Sequence, residues 1–180
     1  MAGLAKALQM RLLIYGFGPY RHFQDNITEK ILRGLPRRSG QKKIVFPVRF
    51  NKGQFLSAIK QNRPDVILGL GQCAEGQRLR IEVQAVNRRR NSQTEKPKPI
   101  LRGGPRRLQT NLNLALGRPG EFSRKAGEYV CNYSMYVILD FIKRRQLPIR
   151  FGFVHVPNDY DFKKATRLVE RALGKITAAT

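Results

Sequence analysis

Three short runs, Arg11–Tyr15 (RLLIY), Val66–Gly71 (VILGLG) and Ile149–Val156 (IRFGFVHV), are apolar at almost every position rather than at alternate ones. A strand built that way is buried on both faces, which calls for a largely parallel sheet with helices packed above and below it. The stretches between them agree. Residues 26–32, 53–61, 130–141 and 162–176 carry apolar side chains at helical spacing. Lys43–Phe50 (KIVFPVRF) is β-branched and aromatic around Pro47, which suits an edge or interrupted strand. Leu79–Asn87 alternates with period two, so Glu82 faces away from Ile81. Residues 109–125 show little pattern. The alternation of strands and helices predicts a three-layer α/β/α sandwich with a mixed, largely parallel sheet.

The chain has 180 residues, a length that suits a single domain over 10–180 preceded by a short extension at 1–9. Apolar residues make up 41% and charged residues 26%, enough to build a core and too ordinary for a disordered or collagen-like chain. Charge is the anomaly: 35 Lys and Arg against 12 Asp and Glu leave a net +23. A polyanionic partner fits that balance. No run approaches the roughly 20 apolar residues of a membrane span, and nothing at the start reads as a secretory signal. With only Cys73 and Cys131 as cysteines, a reducing cytoplasm is the expected location. A four-ligand metal site would consume both cysteines and both histidines, so no metal is expected.

Cys131 falls at a helix start, His155 near the end of a strand, and Glu82 on the alternating strand. A cysteine becomes a nucleophile when a helix N-terminus and a neighbouring imidazolium favour its thiolate, and a carboxylate can orient that imidazole. Spacing alone leaves the alternatives open, since cysteine is often simply a small buried residue and a strand histidine is usually a satisfied core group. Cys73 reads as a small buried side chain in the turn after Gly71-Gln72, with a redox role only if it lies close to Cys131. His22 reads as a surface loop residue.

Six segments occur in order: Gly16-Phe17-Gly18-Pro19-Tyr20 with Asn26; Gly71-Gln72; Ile81-Glu82 with Ala85-Val86-Asn87; Gly103-Gly104-Pro105; Tyr129-Val130-Cys131-Asn132-Tyr133 with Met135-Tyr136; and Gly152-Phe153-Val154-His155-Val156-Pro157. Together they resemble the pyroglutamyl peptidase I family, over residues 11 to 157. The resemblance implies a hydrolase-like α/β/α fold and a cysteine exopeptidase that removes an N-terminal pyroglutamate from peptides without metal or cofactor. It implies Cys131 as nucleophile, His155 as general base and then acid, and Glu82 as the carboxylate orienting His155. Phe17 and Tyr20 match the aromatic positions that sandwich the lactam ring, while Gln72, Tyr129 and Val130 match positions lining its pocket. Relatives form tetramers, which makes a homo-oligomer an open expectation for this chain.

The chain also departs from the family. The acidic stretch that follows the segment around Glu82 is missing, and Asn87 runs directly into Arg88-Arg89-Arg90. In the family an arginine of that stretch is thought to help the oxyanion site, and Arg90 is the candidate to stand in for it here. The family's Gly-Gly after its aromatic turn reads Arg21-His22, and the stretch between Gly104 and Cys131 is short by most of a helix. The irregular loop 88–107 is rich in Lys, Arg, Pro and Gly. Residues 78–107 hold ten Lys and Arg against Glu82 and Glu95, 10 − 2 = +8. That density suits contact with nucleic acid or another polyanion, or simply a solvated face. The rival to an enzyme is thus a peptidase-derived binding protein that works through its basic surface.

Overall fold

The computed structural model describes residues 9–20, 24–74 and 76–178. At the centre of the sheet β1 (Leu12–Phe17) and β3 (Val66–Cys73) pair in parallel, with β2 (Gln41–Phe46) outside β1. On the other side β8 (Arg150–Pro157) runs parallel to β3, β4 (Leu79–Glu82) is antiparallel to β8, and β7 (Gly120–Ser123) closes the far edge. The order is β2-β1-β3-β8-β4-β7, a mixed and mostly parallel sheet. Helices α1 (Ile27–Gly34) and α4 (Phe162–Ala178) pack together, as do α2 (Lys52–Asn62) and α3 (Val130–Arg144).

Strand alternation divides the interior into two cores. Leu12, Ile14, Val66, Leu68, Val154 and Val156 meet Ile31, Leu168 and Val169 of α1 and α4. Leu13, Tyr15, Phe17, Ile67, Phe151 and Phe153 meet Phe55, Tyr136 and Ile138 of α2 and α3. The predicted three layers are therefore present, and the strands that read as uniformly apolar are the ones buried on both faces.

Three local readings need correction. The period-two run 79–87 is two strands, because the chain leaves the main sheet at Val83 and continues as β5 (Gln84–Val86), paired with β6 (Arg107–Gln109) in a separate two-stranded sheet. The sheet strand that should end in glycine instead runs on through Gly71 to Cys73, so Cys73 lies in β3 and not in a turn. Residues 109–125 are not patternless: Leu112, Leu114 and Leu116 are buried at alternate positions, and Asn111 binds Phe151 N–H (2.7 Å) and the Ile149 carbonyl (3.2 Å), laying this extended segment against β8. Pro47 ends β2 as its missing N–H requires. Residues 1–8 of the expected extension, and His22, lie outside the described residues.

Candidate active site

Sheet register brings the carboxylate and imidazole together. In β8, Phe153 and His155 face α3, and the antiparallel pairing of Glu82 with Phe153 turns the Glu82 side chain to that same face. His155 Nδ1 and Glu82 Oε1 stand 2.8 Å apart, with Glu82 wholly buried and His155 5% exposed. The second carboxylate oxygen, Oε2, is buried without a hydrogen-bond partner among the described residues.

Two glycines of β3 open the space above this pair. Gly69 and Gly71 point to the α3 face, and Gly71 lies beside His155 in the register. A β-carbon on Gly69 would come within 2.6 Å of the Tyr15 hydroxyl and 2.4 Å of Phe153. One on Gly71 would meet Cys131 Sγ, His155 Cδ2 and Phe153 Cζ, each at 2.8 Å. Sulfur and imidazole thus rest together over the bare backbone of Gly71.

Cys131 reaches that point from the second residue of α3, where backbone N–H groups have no intrahelical acceptor. Its carbonyl accepts from Ser134 Oγ at 2.8 Å, and Tyr15 OH lies 2.9 Å from the same Oγ. Tyr15 is packed edge-on against Phe17 and Phe46, so a rigid aromatic core anchors this first helical turn. Asn132 is also wholly buried, and its side chain bonds both backbone groups of Val86 and the Arg88 carbonyl at 2.8 to 2.9 Å. The start of α3 is thereby tied to the chain leaving β5.

Cys131 opens onto a cavity of about 570 Å³ whose lining includes Phe17, Tyr20, Gln72, Tyr129 and Val130, all five pocket residues expected from sequence. Val48, Phe50, Ala74, Gln93 and Asn158 line it as well and were not expected. Their contribution comes from chain crossings, since three lie in loops with no pattern of their own. Asn26 also lines the cavity. It caps α1 by accepting from Thr28 N–H (3.0 Å) and donates to the Gly18 carbonyl (3.0 Å), while Gln72 Oε1 accepts from Ile27 N–H (2.9 Å). Among the described residues no Lys, Arg, Asp or Glu lines the cavity.

Burial pulls the His155 pKa down, but the negative charge and hydrogen bond of Cys131, followed by those of Glu82, outweigh it and hold the ring up at about 9. Burial pushes the Cys73 thiol up to about 11, which favours its protonated form at neutral pH. Cys73 is nevertheless half-buried rather than buried, and it lines the same cavity as Cys131. Both cysteines are free. A thiol, an imidazole and a carboxylate in sequence are the parts of nucleophilic acyl transfer. Among the described residues no cluster of His, Cys, Asp and Glu could hold a metal, and no helix is long and apolar enough to cross a membrane.

The pyroglutamyl peptidase family model matches residues 105–175. The pyrrolidone-carboxylate peptidase of Halalkalibacterium halodurans is 31% identical over 81% of this chain and 83% of its own length. That of Alkaliphilus oremlandii is 26% identical over 92% of this chain and 83% of its own. Among solved structures, the pyrrolidone carboxyl peptidase of Thermococcus litoralis superposes with a TM-score of 0.83 at 22% identity, covering 94% of both chains, which supports the fold. Identity of 31% sustained over four-fifths of the sequence places the chain in a family: it belongs to the pyroglutamyl peptidases.

Proposed function

We propose that this protein is a cysteine exopeptidase that hydrolyses the N-terminal pyroglutamyl residue from peptides through a thioester. The observation that carries this reading is the convergence of Cys131 Sγ and the Glu82-bound His155 over Gly71, at a cavity whose described lining residues carry no charge. The Cys131 sulfur attacks the pyroglutamyl carbonyl, and His155 gives its proton to the departing peptide amine. Water deprotonated by His155 then cleaves the thioester, releasing pyroglutamate and restoring the thiol. Glu82 keeps the ring oriented and supports its charged form. The Cys131 N–H, in the unpaired first turn of α3, is the candidate oxyanion donor, a contribution that typically accounts for about 10² to 10³ in rate.

The ligand class suits the cavity. A pyroglutamyl ring is flat and neutral, with two methylenes, one carbonyl and one N–H. Phe17, Tyr20, Tyr129 and Val130 offer apolar and aromatic surface to it. Gln72 Oε1 is occupied by Ile27, so its amide N–H₂ is the group available to a ligand carbonyl. The chemistry asks for no metal or cofactor, and the two free thiols suit a cytoplasmic setting. The net +23 supports an additional, sequence-blind contact with nucleic acid or another polyanion.

The test compares hydrolysis of a chromogenic pyroglutamyl amide by the native protein and by Cys131→Ser, with retention on heparin across a salt series. Turnover by the native protein alone is expected. Equal turnover by both, or by neither, would remove the peptidase reading, and tight salt-sensitive retention without turnover would leave the binding protein in its place.

A further inference from the structure

Beside the cavity wall at Phe50 the described residues carry positive charge, and its placement is built in by the fold. Asn132, the neighbour of Cys131, holds Val86 and the Arg88 carbonyl, and the Arg90 N–H donates to the Glu128 carbonyl at 3.0 Å. These bonds fix Arg88, Arg89 and Arg90 beside the start of α3. Two of the three share one carboxylate, since Arg88 Nε and Arg90 Nε lie 3.1 and 2.9 Å from the two oxygens of Glu128, which offsets one of their two charges. Arg89 differs. It forms no ion pair among the described residues, its backbone is pinned to Lys98 by two 2.8 Å bonds, and its guanidinium lies 5.1 Å from the ring centre of Phe50, a cavity wall. Arg49, exposed between the lining residues Val48 and Phe50, adds a second positive charge. Among the described acidic groups that flank lining residues, Asp25 pairs with Lys30, Asp159 accepts from the Gly76 N–H, and Glu95 pairs with Lys98 and Asn91.

A neutral lactam has no use for this charge, whereas the peptide beyond the scissile bond must leave through the mouth. We propose that Arg89 is a specificity-determining residue that receives a carboxylate from the residue following pyroglutamate, so that acidic pyroglutamyl peptides are the preferred substrates. This rests on the peptidase reading above. Stacking on Phe50 restricts the guanidinium to a planar fork suited to two carboxylate oxygens, which an exposed lysine would not offer.

The experiment measures kcat/KM for three matched peptides, pyroglutamyl-Glu, pyroglutamyl-Gln and pyroglutamyl-Lys, each extended by alanine amide, at low and high ionic strength. Glu should exceed Gln by about two- to fivefold at low salt, chiefly through KM, as a partly exposed ion pair allows. Lys should fall below Gln, and the spread should shrink as salt rises. Arg89→Gln should bring the Glu-to-Gln ratio to about one and Arg89→Lys should keep part of it. Because each value is a ratio within one preparation, loss of folded protein does not affect it. Equal rates for Glu and Gln in the native protein, or a ratio that survives Arg89→Gln, would overturn the proposal while turnover itself leaves the peptidase reading standing. Absence of turnover on all three peptides would overturn both.

Discussion

An alanine at position 71 would set its methyl carbon 2.8 Å from Cys131 Sγ, from the His155 ring and from Phe153 at once. Two of the three cannot retreat freely, since His155 is bound to Glu82 and Phe153 lies in the core, so the strain falls on the Cys131 sulfur, which faces the cavity. Gly71→Ala should therefore cost about 1–3 kcal/mol of stability through overpacking and cut kcat/KM by about tenfold or more through displacement of sulfur and ring. Denaturant unfolding beside steady-state kinetics checks it, and a variant with native kinetics would count against the site. The second prediction at this scale concerns pH. An unfolded histidine titrates near 6.5, and His155 in the fold near 9. Since the folded value is the higher one, its contribution to stability is complete below about pH 6.5 and is lost as pH rises through 9. Activity that needs the protonated ring should fall over the same alkaline range. Glu82→Gln removes one of the charges that holds the ring up, so its alkaline limb should move to lower pH, with kcat reduced about 10²-fold or more by loss of ring orientation. A pH–rate profile of the two proteins decides this.

Helix α3 is the element on which the site turns, and its first turn is held from two sides, by Tyr15 and Ser134 beneath and by Asn132 beside. Asn132→Ala would leave the Val86 N–H and the carbonyls of Val86 and Arg88 without these partners. A loss of about 2–3 kcal/mol is expected. It should come with a lower Glu-to-Gln substrate ratio, because the arginine segment loses its mooring. Thermal melting and the peptide series measure both effects. Helix α3 itself was legible from the density of apolar residues in 130–141, and so was the strand carrying His155. The break at Val83 was not, because alternation continues across it and only the partner strands, β8 on one side and β6 on the other, differ. Leu112, Leu114 and Leu116 did carry a period-two signal, masked by the polar residues on either side.

Across the whole molecule the net +23 acts as self-repulsion that the folded state concentrates. Raising ionic strength from about 0.01 to 0.15 M shortens the screening length from about 30 to 8 Å. The melting temperature should therefore rise by a few degrees with sodium chloride over that range. Scanning calorimetry at several salt concentrations tests this, and a melting temperature that falls with salt would show that local ion pairs such as Arg88 and Arg90 with Glu128 outweigh the net charge.

Sequence by itself determined the layers, since strands apolar on both faces can only be satisfied between two sheets of helices, and it marked Glu82, Cys131 and His155 through the flanks in which they stand. Local periodicity carries no information on which strands become neighbours. That the carboxylate meets the ring, that Gly69 and Gly71 form space for Tyr15 and for the sulfur, and that Arg89 reaches the cavity wall follow from strand order and register, in which residues separated by 73 positions come to lie 2.8 Å apart.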